Sequence, residues 1–239
     1  MEAGKGSLYN IGVGPGDPEL LTLKAVRLMR ECPVIAIPGK KKENCVAYQI
    51  AVQAVPEIAE KPCLLIDMPM TKDAAILEAS HKEAVRQLKE VLAEGRDVAY
   101  LTLGDVTVYA TALYIHERIQ EEGFATWMVN GIPSFCAAAA RLNRPLVSGA
   151  QELHIIPASY GVEEALKLSG VKVFMKAGST MKQLKEALKG KAYSVHMVER
   201  CTMEGERLAF SAEEIPEDAG YYSLVIVKDA AADRDEEKV

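Results

Sequence analysis

The chain has 239 residues, of which 49% are hydrophobic and few are aromatic, and its formal net charge is −6. This length and composition predict one large or two modest α/β domains. The negative charge argues against nucleic-acid or anionic-membrane binding, so an anionic ligand would need a local basic cluster. No apolar run reaches the roughly 20 residues that span a bilayer. The first residues lack the apolar segment of a secretory signal, and we expect a cytoplasmic protein.

The cysteines and histidines are dispersed along the chain. None of the five cysteines belongs to a CxxC pair, which indicates reduced, partly buried thiols. The four histidines are equally scattered, so we expect no metal site. His116 and His196 lie in apolar contexts, and structural roles are expected for both.

The segment Leu8–Thr22, LYNIGVGPGDPELLT, predicts a strand, a turn and a helix in that order. Its apolar start, Leu8–Val13, is typical of a buried strand. Alternate positions then carry Gly12, Gly14 and Gly16. Glycine tolerates positive φ and has no Cβ, so a ligand can lie against bare backbone. Asp17 is interpreted as a helix N-cap and Pro18 as the first helical residue, an arrangement that usually places a ligand at the carboxyl end of a strand.

The glycine spacing excludes two common nucleotide sites. G-x-G-x-G is neither the phosphate loop G-x-x-x-x-G-K-[ST] nor the dinucleotide motif G-x-G-x-x-G. The second predicted strand, Val34–Ile37, ends in Pro38-Gly39 and not in the acidic residue that would bind a ribose. A nucleotide-dependent oxidoreductase is therefore disfavoured. A tight strand-to-helix turn without any ligand remains an open alternative.

Strands and helices alternate through the first half of the chain. The predicted helices are Pro18–Arg30, Cys45–Val55, Asp73–Glu94, Tyr109–Glu122 and Phe135–Leu142. Further strands are predicted at Cys63–Met68, Asp97–Leu103 and Phe124–Val129. This alternation predicts a mostly parallel sheet covered on both faces, in a domain of residues 1–147.

The alternation is weaker in the second half, after a break at Arg144-Pro145-Leu146. A second α/β domain is predicted over residues 148–229. Its predicted strands are Leu153–Pro157, Val171–Met175, Tyr193–Val198 and Tyr221–Val227, with a helix at Thr180–Leu188 and a polar loop at Thr202–Gly220. The charged residues 230–239 are expected to form a disordered tail.

Three turns of the first half share one design, in which a strand is followed by small or acidic residues and then a helix. We call them the first turn (Gly12–Pro18), the second turn (Gly104–Thr107) and the third turn (Asn130–Ser134). In a parallel sheet all three lie at the carboxyl edge. We expect them to converge on one cleft, where backbone groups would hold a ligand with both polar and flat apolar parts.

At these turns the sequence resembles the tetrapyrrole methylases, which use S-adenosylmethionine to methylate uroporphyrinogen and precorrin rings. The motifs are VGPGDPELLT at Val13–Thr22, Gly104-Asp105 followed by Tyr109, and GIPSF at Gly131–Phe135. The resemblance covers about Leu8–Lys228. Many members have Gly-Asp-Pro at the second turn, where this chain has Val106.

Within the family, the chain is most similar to the branch that methylates C(20) of precorrin-2 or cobalt-precorrin-2 in cobalamin biosynthesis. The similarity is carried by YNIGVGPGDPELLTLKAVR, PVIAIPGK and GIPSFCAAAARLNRPL. It implies a homodimer of two-domain α/β chains, with a mostly parallel N-terminal sheet, a mixed C-terminal sheet and a cofactor cleft between the domains. Methylation of another ring position, or a non-catalytic tetrapyrrole-binding module, remains an alternative.

The resemblance also implies which residues contact S-adenosylmethionine. They are Pro15, Gly104, Asp105, Val106, Tyr109, Ser134, Phe135, Met175, Lys176, Ala177, Arg200, Tyr222 and Ser223. The carboxylates of the tetrapyrrole substrate require basic partners. Our candidates are Lys40, Arg141, Arg144 and Arg200, from a wider set that includes Lys41, Lys42 and Lys176.

Methyl transfer from a sulfonium to an electron-rich ring carbon depends on proximity and orientation more than on acid or base groups. A proton must still leave the ring, and Asp105 is the candidate that assists its departure or orients the cofactor. The alternative is that Asp105 only caps the helix that follows it.

Overall fold

The computed structural model describes residues 4–157 and 160–229, and the expected tail at 230–239 lies outside them. Packing divides the chain into two units, one ending at Pro133 and one beginning at Ser134. The helix Ser134–Arg141 is thereby grouped with the second unit, whereas the sequence predicts a domain boundary between residues 147 and 148.

The first unit is built on a five-stranded sheet in which every pairing is parallel. Its strands are β1 (Ser7–Gly12), β2 (Val34–Pro38), β3 (Cys63–Ile66), β4 (Val98–Thr102) and β5 (Ala125–Val129), in the order β3-β2-β4-β1-β5. Consecutive residues of β2, from Ile35 to Ile37, are all fully buried, so both faces of the sheet are covered. The predicted parallel sheet is confirmed.

Four α-helices accompany this sheet: α1 (Leu23–Glu31), α2 (Val46–Ala54), α3 (Ala74–Ala93) and α4 (Ala112–Glu121). Short 3-10 helices occur at Pro18–Leu20, Lys42–Asn44 and Pro56–Glu60. Asp73, predicted as the first residue of this helix, is instead its N-cap, since its carboxylate accepts hydrogen bonds from the backbone amides of Ala75 and Ile76.

Two of the predicted helices begin too early. The helix predicted from Pro18 is only a 3-10 turn capped by Asp17, because Leu21 is extended and Thr22 caps α1 anew through the amide of Ala25. The helix predicted from Tyr109 begins at Ala112, because the left-handed φ of Tyr109, +49°, is incompatible with a helix.

The second unit contains a mixed five-stranded sheet, as predicted. Its strands are β6 (Leu153–Pro157), β7 (Val171–Met175), β8 (Tyr193–Glu199), β9 (Arg207–Ala209) and β10 (Ser223–Asp229), in the order β6-β7-β10-β8-β9. Only β6 and β7 pair in parallel. The helices are α5 (Ser134–Arg141), α6 (Val162–Leu166) and α7 (Met181–Leu188), with a 3-10 turn at Ala177–Thr180.

The sequence did not predict α6 or β9. Both are too short to show a periodic pattern. The segment predicted as the loop Thr202–Gly220 contains β9 because residues 207–209 pair with β8, with Ala209 opposite Met197. The last strand begins at Ser223 and not at Tyr221, since Tyr221 and Tyr222 are exposed ahead of it. Of the helices in the described residues, none has both the length and the apolarity needed to cross a bilayer.

Candidate functional site

The three turns meet at the carboxyl edge of the first sheet, because β4, β1 and β5 are neighbours. Gly14 and Gly104 exchange backbone hydrogen bonds, with N···O distances of 3.1 Å and 2.8 Å, which join the first turn to the second. The amide of Gly131 donates to Oδ2 of Asp105 at 3.0 Å, which joins the third turn to the second. The predicted convergence of the three turns is confirmed.

Two glycines at this edge allow the backbones to touch one another. A Cβ added to Gly131 would lie 2.2 Å from the carbonyl oxygen of Gly104, and one added to Gly12 would lie 2.6 Å from the nitrogen of Gly131. Neither site leaves space for a ligand. Gly104 is different, because its φ is +74° and nothing lies within 4 Å of the position of a Cβ. Bare backbone was expected at the glycines of the first turn, but Gly12 has no room and a Cβ at Gly14 would lie 3.5 Å from Leu20. The unfilled space at this edge is instead beside Gly104.

Asp105 is nearly buried, with 6% of its surface exposed, and its carboxylate is fully hydrogen-bonded. Oδ1 accepts from the backbone amide of Thr107 at 2.8 Å and from the hydroxyl of the same residue. Oδ2 accepts from Gly131 and, at 3.3 Å, from the side-chain amide of Asn130. These four donors occupy the lone-pair sites of an ionised carboxylate.

The same contacts determine the protonation state of Asp105. Burial raises the pKa of the carboxyl group, but the hydrogen bonds from Thr107, Asn130 and Gly131 outweigh it and bring the pKa below the ordinary 3.8. The interpretation of Asp105 as a helix cap is wrong, because α4 begins only at Ala112. Its carboxylate instead joins two turns that lie far apart in sequence.

Other residues of the first two turns differ in exposure. Pro15 and Val106 are buried, so both are packed into the first unit. Tyr109, two residues after the second turn, is 46% exposed and has a left-handed backbone, which is unusual for a bulky residue.

In the second unit, the remaining cofactor candidates gather at one end of the sheet. The register pairs Leu224 with both Met175 and Val198, and Ser223 with Glu199. The ends of β7 and β8 and the start of β10 therefore lie side by side. The amide of Arg200 also donates to the carbonyl of Tyr222 at 3.1 Å. The segments at Met175–Ala177, Arg200 and Tyr222–Ser223 are brought together.

The backbone is strained at this end of the second sheet. Lys176, directly after β7, has φ +56°, and Arg200, directly after β8, has φ +53°. Thr202 follows with φ +59°. Non-glycine residues adopt this left-handed conformation at a cost of about 1–3 kcal/mol, and such residues cluster where ligands are bound. No sequence pattern identified these three positions as left-handed.

Ser223, Ser134 and Phe135 complete the list of cofactor candidates. Ser223 is 1% exposed, and in the described part of the chain its hydroxyl has no hydrogen-bond partner. Ser134 and Phe135 begin α5, where the phenyl ring is buried and the serine is partly exposed.

The predicted substrate cations are paired in the structure. Lys40, which follows β2, forms an ion pair with Asp67 at 3.2 Å. Arg141 donates from Nε to Glu206 at 2.7 Å, and Glu206 also accepts the amide of Thr202 at 2.8 Å. Glu206 thus connects Arg141 to the loop that carries Arg200, a role that the sequence did not reveal.

Arg144 is exposed, and Arg200 donates from Nε to the carbonyl of Glu204 at 2.7 Å. Within residues 4–157 and 160–229, no group of three or more His, Cys, Asp and Glu side chains could hold a metal ion.

Residues 7–216 match the family described as Tetrapyrrole (Corrin/Porphyrin) Methylases. The chain belongs to this family. The resemblance drawn from the three turns is thereby confirmed.

Curated relatives of this tetrapyrrole methylase agree with the branch predicted from its motifs. A protein of Methanocaldococcus jannaschii named "Probable cobalt-precorrin-2 C(20)-methyltransferase" is 34% identical, over 92% of this chain and 95% of its own length. A "Precorrin-2 C(20)-methyltransferase" of Sinorhizobium sp is 29% identical, over 94% of this chain and 96% of its own length.

A solved structure supports the fold. The uroporphyrin-III C-methyltransferase of Thermus thermophilus, complexed with S-adenosylhomocysteine, superposes with a TM-score of 0.69. The two sequences are 21% identical, and the match covers 95% of this chain and 99% of the other. The predicted two-sheet α/β fold is confirmed.

Proposed function

We propose that this tetrapyrrole methylase transfers a methyl group from S-adenosylmethionine to C(20) of precorrin-2 or cobalt-precorrin-2. The observation that carries the proposal is the joining of the three turns through Gly14, Gly104, Asp105 and Gly131. The two C(20)-methyltransferases that align with nearly the whole chain support the choice of ring position.

The residues at the second turn fit the cofactor. The open side of Gly104 offers bare backbone, and a side chain there would be strained at φ +74°. In the first unit we assign the binding of S-adenosylmethionine to Pro15, Gly104, Asp105, Val106 and Tyr109. In the second unit we assign it to Ser134, Phe135, Met175, Lys176, Ala177, Arg200, Tyr222 and Ser223. When bound, the cofactor supplies an electrophilic methyl group on a sulfonium.

The protein's contribution is orientation. Asp105 has a lowered pKa and four hydrogen-bond donors, so it is a poor acceptor for the ring proton. Of its two predicted catalytic roles, we propose the orienting one: its carboxylate fixes the spacing of the second and third turns. Precise placement of two reactants supplies on the order of 7–11 kcal/mol.

The substrate's carboxylates require cations in the same site. We assign them to Lys40, Arg141, Arg144 and Arg200. An arginine binds a carboxylate through two parallel N–H···O bonds, so exchange of Glu206 for a substrate carboxylate would keep Arg141 paired. We further propose that the enzyme is a cytoplasmic homodimer, which sedimentation of the purified chain would test as a doubling of mass.

A methylation assay tests the proposed function. The purified chain is incubated with S-adenosylmethionine carrying a ¹³C-methyl group and with precorrin-2, either metal-free or cobalt-loaded. The expected product has gained one methyl group, and its NMR spectrum places the label at C(20). A label at another position would support the alternative methylase. Cofactor binding without turnover of either substrate would support a non-catalytic module.

A glycine pair provides the control for this assay. Gly104→Ala adds a side chain to the open backbone and is expected to abolish turnover. Gly190→Ala is the matched control, because Gly190 also has a left-handed φ, +68°, and nothing lies within 4 Å of its Cβ position. Full activity of the Gly104 variant would contradict the assigned position of the cofactor.

A further inference from the structure

Glu199 is a buried acid at the end of β8, with 5% of its surface exposed. Its Oε1 atom accepts the backbone amide of Gly220 at 2.7 Å. Its Oε2 atom accepts from Arg207, at 2.6 Å from Nε and 2.5 Å from Nη2. The carboxylate thus connects the end of β8 to β9 and to the loop that precedes β10.

Gly220, the backbone partner of Glu199, is in turn packed against another segment. A Cβ added to Gly178 would lie 2.4 Å from the carbonyl oxygen of Gly220 and 3.0 Å from that of Ala219. The 3-10 turn after β7 therefore lies directly on this loop, backbone against backbone. The carbonyl of Gly220 also accepts the amide of Ser223 at 3.2 Å, at the first residue of β10.

Arg207, whose side chain is partly exposed, holds both Glu199 and the loop that precedes β10. Besides binding Glu199, it donates to the carboxylate of Asp218 at 2.8 Å and to the carbonyl of the same residue at 3.4 Å. A buried carboxylate is costly without a partner, and Arg207 supplies the compensating charge. Glu199 and Arg207 together hold the loop at Asp218 and at Gly220.

We propose that Glu199 is a positioning residue for the cofactor, an inference that rests on the proposed function. The Glu199 carboxylate holds the backbone of Gly220 by a hydrogen bond. Gly220 in turn bonds the amide of Ser223 and packs against Gly178, in the 3-10 turn that directly follows Lys176. One carboxylate, directly before Arg200 in the chain, thereby places the segments at Met175–Ala177 and Tyr222–Ser223 without needing to touch the cofactor itself.

Three variants test this role, with S-adenosylhomocysteine as the probe in calorimetry. Glu199→Ala removes both contacts, and we expect its dissociation constant to rise by about tenfold or more. Glu199→Gln keeps an acceptor for Gly220, so its value should lie between those of wild type and Glu199→Ala. Arg207→Gln leaves the Gly220 bond but removes the charge partner, and we expect a rise of about threefold.

Asp229→Asn is the matched control. It weakens the ion pair of the buried Lys172 with Asp229, 2.9 Å apart, at the opposite end of β10 from Ser223. It should lower the melting temperature without changing the dissociation constant. If it weakened binding as much as Glu199→Ala does, the effect would be general destabilisation and the proposal would be wrong.

Amide hydrogen exchange provides a readout that does not depend on ligand binding. In Glu199→Ala, exchange should accelerate in peptides covering residues 176–180 and 218–223, and not in α6. Unchanged exchange and affinity would overturn the positioning role. If wild type fails to bind the probe, the proposed function fails while the exchange pattern still decides whether Glu199 positions these segments. If Glu199→Ala does not fold, wild-type affinity in Arg207→Gln and Glu199→Gln would overturn the proposal.

Discussion

The carboxylate of Asp105 accepts the backbone amide of Gly131 at 3.0 Å, across 26 residues of sequence. Because the same carboxylate holds Thr107, one side chain sets the distance between the second and third turns. The turns are thus fixed to each other before any ligand binds. Pre-organisation of this kind reduces the ordering cost of binding, since the loops do not have to be immobilised by the ligand.

Asp105→Asn should therefore weaken both folding and binding. The amide nitrogen would face the donors of Asn130 and Gly131, leaving them without an acceptor. The expected loss is about 1–3 kcal/mol in the free energy of unfolding, together with weaker binding of S-adenosylhomocysteine. Urea unfolding can be followed by the fluorescence of Trp127, the chain's single tryptophan. Asp73→Asn is the control, because asparagine replaces aspartate well at an N-cap.

Gly131→Ala adds a single methyl group but should clearly lower the free energy of unfolding of the first unit. The added Cβ would lie 2.2 Å from the carbonyl oxygen of Gly104, which is backbone and cannot turn aside. We expect a loss of about 1–3 kcal/mol or more in the free energy of unfolding. Gly161→Ala, at an open site with negative φ, should instead be neutral or stabilise by about 0.4–1 kcal/mol. Equal stability of the two variants in urea would contradict the backbone packing described here.

His116 should make folding sensitive to mild acid. Its Nδ1 lies 3.1 Å from Nδ2 of Asn10 and its Nε2 lies 3.3 Å from the hydroxyl of Thr126. Since the Asn10 amide nitrogen is a donor, Nδ1 is the acceptor and the ring is neutral. Burial lowers the pKa of His116 below 6.5, with a smaller opposing effect of Glu117. Because the folded protein favours the neutral ring, His116 contributes to folding stability above its ordinary pKa of about 6.5. This contribution is lost as the pH falls through the lowered pKa of the folded state.

To test this, the free energy of unfolding of wild type and of His116→Gln is measured at several pH values between pH 7.5 and pH 5. This range brackets the ordinary histidine pKa of about 6.5. Wild type should lose stability faster as the pH falls, so the difference between the two proteins should shrink. His81, whose pKa is also lowered by burial, is present in both and cancels. Parallel pH profiles would show that His116 does not titrate in this way.

Arg141→Ala should affect the tetrapyrrole and not the cofactor. Loss of one carboxylate partner should raise the KM for the tetrapyrrole by about tenfold, while the dissociation constant of S-adenosylhomocysteine stays near the wild-type value. Arg86→Ala is the matched control, since Arg86 is exposed and forms ion pairs with Glu83 and Glu90 of its own helix, α3. An unchanged KM for Arg141→Ala would remove Arg141 from the substrate site.

Apart from β9, the sequence predicted the strands of the described residues, because these are short and mostly apolar runs bounded by glycine, proline or charged residues. Leu153–Pro157 and Val171–Met175 match the structure at both ends. Such signals are local. The same is true of the N-cap at Asp17, whose carboxylate accepts an amide only two residues away, that of Glu19.

The features that sequence reasoning missed depend on residues far apart in the chain. Glu199 directly precedes the cofactor candidate Arg200, but its contact with an amide 21 residues away has no local sequence signal. The left-handed backbone of Lys176 and Arg200 is likewise imposed by neighbouring strands and loops. For Asp105 the predicted roles were proton removal or cofactor orientation, with helix capping as the alternative; its contact with Gly131, which follows another strand, has no local sequence signal.

The strand order has a consequence for how this protein is made. β1 lies between β4 and β5, so the residues that join the three turns are separated by about one hundred positions in the chain and meet only when β5, the last strand of the first sheet, has been added. A nascent chain that stops before Val129 lacks the contact from Gly131 to Asp105, so the three turns are joined only when the first sheet is complete. Under the proposed function, a cofactor that binds only the native state would stabilise this completed edge by mass action.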